Sequence, residues 1–205
     1  MSLDATVALC TLDEAKAFLK IPTTSNSDDA QVELIVNGAW ASAESYTGRR
    51  FVSTARTEYY DGDGTDTLCL AQYPITAVSS LNIDNNRSFA SLTDIDVSTS
   101  LQIAKESGII TLWNYASTFT AGIGNVKIVY TAGYTSATCP WDLKLAVLKL
   151  ASRDYANAYQ SRRVGLDSEN IGDKSLTISK DGIPSDVKSV FDRYRAFPTT
   201  GRVFA

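Results

Sequence analysis

The sequence predicts an α+β fold, an antiparallel bundle of about four helices with a large antiparallel β insertion between helices two and three. Three observations predict it. Residues 28–51, DDAQVELIVNGAWASAESYTGRRF, place Val32, Ile35, Val36, Ala39, Trp40, Ala43 and Tyr46 at three- and four-residue spacing, so they share one helix face. From about Val52 the apolar period changes to two and stays so for roughly 85 residues. Helical spacing returns only from Cys139. Amphipathic helices at the two ends of the chain can bury their stripes against each other, so one helical core interrupted by a β block needs fewer assumptions than two independent domains. The expected organisation is a first half of the helical core over 1–51, a β-rich insertion over 52–138, a second helical half over 139–196 with a loop at 161–182, and a tail over 197–205.

Each element has a local reason. Thr11-Leu12-Asp13-Glu14 is a capping box opening a short helix, with Leu12, Ala15, Phe18 and Leu19 on one face and Pro22 ending it. Asp28 serves as N-cap of the long helix, Gln31 stands at its capping-box position, and Gly48 supplies the left-handed stop before Arg49 and Arg50. Residues 56–60 and 67–70 read as strands around a hairpin turn, Asp61-Gly62-Asp63-Gly64-Thr65-Asp66. Ile75, Ala77, Leu81 and Ile83 alternate up to a turn at Asn85-Asn86. Residues 101–104 and 109–113 flank Glu106-Ser107-Gly108 as a hairpin, and 126–131 is a strand ended by Gly133. Pro140 sits at the start of the third helix, whose stripe is Leu143, Ala146, Val147, Leu150 and Ala151, widened by Leu145 and Leu148. Residues 161–182 are polar, with one strand-like piece at 175–178. Pro184-Ser185 opens a last helix with Val187, Val190, Phe191 and Tyr194 inward.

Composition narrows the function. The 205 residues suffice to bury roughly 70% of the unfolded surface without disulfide or metal. Nineteen basic against 23 acidic residues argue against tight non-specific nucleic-acid binding, but not against a surface past which DNA slides. Cys10, Cys69 and Cys139 are odd in number and lack metal-ligand spacing, which suits reduced thiols in a protein made in the cytoplasm. Neither a signal peptide nor a membrane span is expected. The complete absence of histidine removes Ser-His-Asp and Cys-His mechanisms and His-ligated zinc. No catalytic residue, metal or cofactor is expected.

Several patterns could carry chemistry or contacts. The alternating carboxylates of Asp61–Asp66 could ligate calcium, but Gln72 stands where an EF-hand needs glutamate, and a turn that uses Asp and Gly for positive φ explains the run as well. Asp94 and Asp96 would share a strand face without a linked nucleophile or second acid. Asn86-Arg87-Ser88 is a glycosylation sequon, and Gly122-Ile123-Gly124 is too short for a nucleotide fingerprint and precedes a strand. Arg49-Arg50 and Arg162-Arg163 could meet phosphates or acidic partner groups, or complement helix C-termini. The apolar tail residues Phe197, Val203 and Phe204 have little of their own to pack on, so they read as a frayed end or as a segment ordered by a partner.

The chain resembles the phage head–tail connector (adaptor) family. The resemblance rests on Thr11–Lys20 with Tyr46-Thr47-Gly48-Arg49-Arg50, on Tyr60–Leu70 with Tyr73-Pro74-Ile75, and on Pro140–Lys144 through Ser168–Asp173 to Pro184 and Tyr194-Arg195. It implies a non-catalytic structural protein of the virion neck, a homo-oligomeric, typically dodecameric ring beneath the portal, through which double-stranded DNA passes. It further implies a portal-binding C-terminal region, assigned to Arg193, Arg195, Phe197, Arg202, Val203 and Phe204. The opposite side would meet stopper or tail proteins. Ring contacts are expected at Arg162, Arg163, Ser168, Glu169, Ile171, Leu176 and Ile178. The alternatives are a tail-completion or stopper protein and, in another class, a calcium-dependent glycan-binding module on the β block.

Overall fold

The structure, a computed structural model, describes residues 3–89, 95–113, 118–160, 168–171, 174–177, 182–196 and 203–204. They form helices α1 (Leu12–Leu19), α2 (Asp29–Thr47), α3 (Val97–Ser100), α4 (Trp141–Gln160) and α5 (Ser185–Arg193). The strands are β1 (Thr54–Gly62), β2 (Thr67–Cys69), β3 (Ile75–Ile83), β4 (Leu101–Ala104), β5 (Ile109–Leu112), β6 (Gly122–Ala132), β7 (Ser168–Ile171), β8 (Lys174–Thr177) and β9 (Val203–Phe204). The fold is α+β with antiparallel sheets. The chain divides into two compact units, 1–47 with 138–195, and 48–137 with 196–205.

In the helical unit, α4 packs on α1, α2 and α5, and α2 also contacts α1 and α5. The capping box forms in both directions. Thr11 Oγ1 accepts from Glu14 N at 3.1 Å, and Glu14 Oε2 accepts from Thr11 N at 2.8 Å. α1 stops at Lys20 in the left-handed conformation, two residues before Pro22. Its predicted face holds in part: Ala15 is buried and Leu12 and Leu19 are half-buried, but Phe18 is exposed and Lys16 is buried in addition. Lys16 turns inward because its ammonium donates to Ser25 O at 2.7 Å and pairs with Asp29, which satisfies a buried charge. α2 buries Val32, Val36, Ala39, Trp40 and Ala43, and Gly48 adopts φ +68° at its stop. α4 buries Leu143, Ala146, Val147, Leu148, Leu150 and Ala151, but Leu145 stands out from the predicted stripe, 45% exposed. α5 buries Val187 and Phe191, with Val190 and Tyr194 half-buried.

The β unit departs further from the local reading. β1 and β2 are not a hairpin: β1 pairs with β6, whereas β2 pairs with β5 in another sheet. The strand orders are β3-β6-β1-β9 and β2-β5-β4. Asp61–Asp66 therefore carries the chain between sheets, and the hairpin-turn reading is overturned. β3 also breaks its predicted alternation. Irregularities between Ile75 and Ala77 and between Val78 and Ser80 shift the register against β6, leaving Ala77 exposed and Val78 half-buried. The β4–β5 hairpin forms as expected, with Gly108 at φ +70°. Asp96 is not on a strand; its carboxylate caps α3, accepting from Ser98 N at 2.9 Å. Asp94 lies outside the described residues. The core of this unit includes Tyr60, Leu68, Ile75, Leu81, Ile110, Phe119, Ile128 and Tyr130.

Candidate functional site

Within the β core, Glu58 is 6% exposed. Its Oε2 accepts from Tyr60 Oη and from Tyr130 Oη, each at 2.6 Å, and Tyr60 Oη accepts in turn from Ala71 N at 2.8 Å. Burial, with the neighbouring carboxylate, raises both phenols above their ordinary value. Such a network resembles an acid–base centre, but its carboxylate and both its phenols are buried. It satisfies buried polar atoms and ties β1 to β6. Arg49, also buried, donates to Tyr73 O and stacks its guanidinium 3.4 Å from the Tyr73 ring centre. This packing role replaces the phosphate-binding option for Arg49.

The Asp61–Asp66 carboxylates do not converge. Asp61 Oδ1 accepts from Gly124 N at 2.6 Å, Asp63 Oδ1 accepts from Thr65 N and Oγ1 at 2.9 and 2.6 Å, and Asp66 Oδ1 accepts from Thr67 Oγ1 at 3.0 Å. The Thr65 hydroxyl and amide hold Asp63 below the usual carboxylate range. Among the described residues no group of three His, Cys, Asp or Glu side chains could hold a metal ion. Gly122-Ile123-Gly124 is the start of β6, and Gly62 and Gly122 leave no room for side chains: a Cβ would fall 2.0 Å from Thr120 O and 2.7 Å from Asn125 Nδ2, respectively. Beside it a groove of about 460 Å³ is lined by Tyr59, Arg87, Phe89, Ile123 and Lys127. Arg87 and Phe89 have positive φ there, held by the Asp84 carboxylate, which accepts from the amides of Phe89, Asn86 and Ser88. The thiols of Cys10 and Cys139 are buried, and burial pushes Cys139 up to about 12.

The predicted portal contacts fall in two places. Arg193 pairs with Asp142 at 3.1 Å, and Tyr194 Oη donates to the same carboxylate at 2.6 Å. Arg195 lies over Tyr46, whose hydroxyl donates to Asp192 at 2.7 Å. Val203 and Phe204 belong to the other unit as β9, in register with Tyr60 and Tyr59 of β1. Phe197 and Arg202 lie outside the described residues. Among the ring-contact residues, Ser168, Glu169 and Ile171 are on β7 and Leu176 on β8, two strands of one hairpin where a single strand-like piece was expected. Glu169 stands opposite Leu176. Arg162, Arg163 and Ile178 lie outside the described residues.

Sequence reasoning missed the outward apolar groups. Leu34 is 74%, Trp141 78%, Trp113 65% and Ile123 68% exposed. Leu34 is the apolar position of α2 that breaks its inward spacing, a signal available in the sequence. Trp141 was hidden by its place at a helix start.

The head completion protein family matches the chain over residues 8–197. The chain belongs to that family. As a head completion protein it is a structural component of the junction between phage head and tail, the role that the resemblance to head–tail connectors implied. Solved structures agree in fold. A chain from the neck of an empty GTA particle, with C6 symmetry, superposes with a TM-score of 0.60 at 19% identity, covering 98% of this chain and 97% of that one. A chain from the virion of a native gene transfer agent particle gives 0.58 at 18% identity, over 98% and 96%. One from a native GTA neck with C12 symmetry gives 0.55 at 19%, over 98% and 99%. No curated protein matches the sequence. In this head completion protein no helix among the described residues is long and apolar enough to cross a membrane.

Proposed function

We propose that this head completion protein is the head–tail adaptor itself. Twelve copies form a ring beneath the portal, linking the capsid to stopper or tail proteins and letting double-stranded DNA pass. The helices of the first unit form the bundle of each subunit, and the β unit is its insertion. The observation that carries the reading is how six of the basic groups of the helical unit are engaged. Lys16, Lys144, Lys149, Arg153, Arg193 and Arg195 pair with Asp29, Glu14, Asp186, Asp154, Asp142 and Asp192. Cations already paired with carboxylates offer DNA no continuous counter-charge, so a strand can move through a ring of such subunits without being held.

The tail supplies the portal contact in this reading, through Arg193, Arg195, Phe197, Arg202, Val203 and Phe204. β9 lies at the end of its sheet, so its outer edge can accept a strand from a partner. Ser168, Glu169, Ile171 and Leu176 on the β7–β8 hairpin, with Arg162, Arg163 and Ile178, contribute to ring contacts. The test is a chain ending at Ala196, mixed with purified portal and read by co-sedimentation and by thermal melting. The truncated chain should keep its melting temperature within a few degrees, because β1 retains β6, and should lose portal binding. Undiminished binding would sink the tail's role. Binding only to a preformed adaptor–portal complex would make the protein a stopper.

A further inference from the structure

We propose that the groove beside the start of β6 receives an extended acidic segment of a partner protein of the neck, with a carboxylate side chain next to an aromatic or aliphatic one. The proposal goes beyond the tail's portal contact and the ring contacts at 162–178, and it stands without them. The groove holds about 460 Å³, within the roughly 300–1,000 Å³ of ligand sites. Tyr59, Phe89 and Ile123 give it apolar walls, and Arg87 and Lys127 give it two cations. Along β6 it runs from Ile123 to Lys127, steps of about 3.3 Å each, which suits about four residues of extended chain.

Charge decides the kind of segment. Among the described residues the Arg87 guanidinium has no hydrogen bond or ion pair, and the Lys127 ammonium meets only the Phe89 ring, 5.8 Å from its centre. The carboxylates beside the groove are already engaged by backbone amides. Asp61 accepts from Gly124 N at 2.6 Å, and Asp84 accepts from Asn86 N and Ser88 N at 2.8 Å and from Phe89 N at 3.0 Å. An arriving carboxylate therefore finds two cations whose counter-charge the chain does not supply, and Arg87 can hold it through two parallel N–H bonds. The walls are fixed in advance. Arg87 and Phe89 stand at φ +57° and +45°, and Phe89 packs on Tyr59 with ring centres 5.5 Å apart. A partner then pays little to order them. The shape favours a peptide over a nucleic acid. The two rings are tilted by 57°, which makes a corner and not a platform on which bases stack. Ile123, 68% exposed, adds an apolar contact that a phosphate backbone cannot use.

The test pans a displayed library of random short peptides on the immobilised full chain, then measures the enriched peptides and an oligo-dT strand by fluorescence polarisation. Enriched sequences should carry Asp or Glu next to Phe, Tyr, Trp or Leu. Arg87→Gln with Lys127→Gln should weaken their binding by about tenfold or more. Lys20→Gln with Lys105→Gln, which removes two exposed cations elsewhere, should leave it unchanged. If the first pair of substitutions lowers the melting temperature, Ile123→Asp gives the same reading, because it sets a repelling charge at an exposed position of the groove. No enrichment, enriched sequences without Asp or Glu, or equal losses in the two lysine- and arginine-depleted variants would overturn the proposal. Oligo-dT bound more tightly than any peptide, and released by loss of Arg87 and Lys127, would overturn it in favour of single-stranded nucleic acid.

Discussion

The helical unit and the β unit are built by different kinds of information. In the helical unit each element has its cause within a few residues: the Thr11–Glu14 capping box, the Thr47 hydroxyl donating to Ala43 O at 2.8 Å, the left-handed Gly48. Distant groups then only fasten finished helices, as Lys144 does with Glu14. In the β unit distant groups decide what the elements are. Glu58 meets Tyr130 across 72 residues, and Gly62 N donates to Asn125 Oδ1 across 63. β1 and β2, neighbours in sequence, end in different sheets. The lesson is that the helical half tolerates loss of a local signal, whereas the β half depends on a few buried polar and backbone positions.

Five substitutions sharpen or break that comparison. The largest effect belongs to Trp40→Ala, which empties a fully buried site in the helical core. It should cost about 3–5 kcal/mol in urea unfolding, and a loss below about 1 kcal/mol would mean the helical unit does not depend on its core. Next is Glu58→Leu, which strands two buried phenols and should cost about 2–4 kcal/mol. The same network predicts a pH dependence. Because the folded-state values of Tyr60 and Tyr130 are raised, their contribution is complete below the ordinary phenol value of about 10 and is lost as pH rises above it. The urea midpoint should therefore fall above about pH 10, and fall less steeply in Tyr130→Phe. A flat alkaline profile in the wild-type chain would contradict the buried network.

Gly133→Ala should cost about 1–3 kcal/mol, since φ is +117° and the new Cβ would fall 2.7 Å from Phe51 O. Helix content by circular dichroism should hold while the melting temperature drops, if the β unit alone is affected. The smallest effect is Thr11→Ala, about 1 kcal/mol, because it removes one local cap from a helix that packing still holds. If Thr11→Ala proved costlier than Glu58→Leu, the contrast between the two units would be reversed.

Much of the helical unit was legible because a helix repeats its environment every few residues. The inward stripe of α2 and the stop at Gly48 needed nothing beyond the local sequence. Lys16 was left off the inward face because a lysine buries only when an acceptor and a carboxylate meet it, and Ser25 and Asp29 do so by tertiary placement. Asp61–Asp66 was misread because Asp and Gly mark a bend without saying which strands it joins. The tail's apolar residues were visible, but the seat of Val203 and Phe204 beside Tyr60 and Tyr59 was not.

By itself the sequence determined the class of the fold, the order of its long helices and main strands, and the exclusion of histidine chemistry, because periodicity, caps and composition are local or summed properties. Only the tertiary structure decided strand partners, the irregular register of β3, the burial of Glu58 and Lys16, and the exposure of Trp141 and Leu34. A hydrogen-bond partner or a covered face is a property of two segments at once, and one segment's residues do not specify the other.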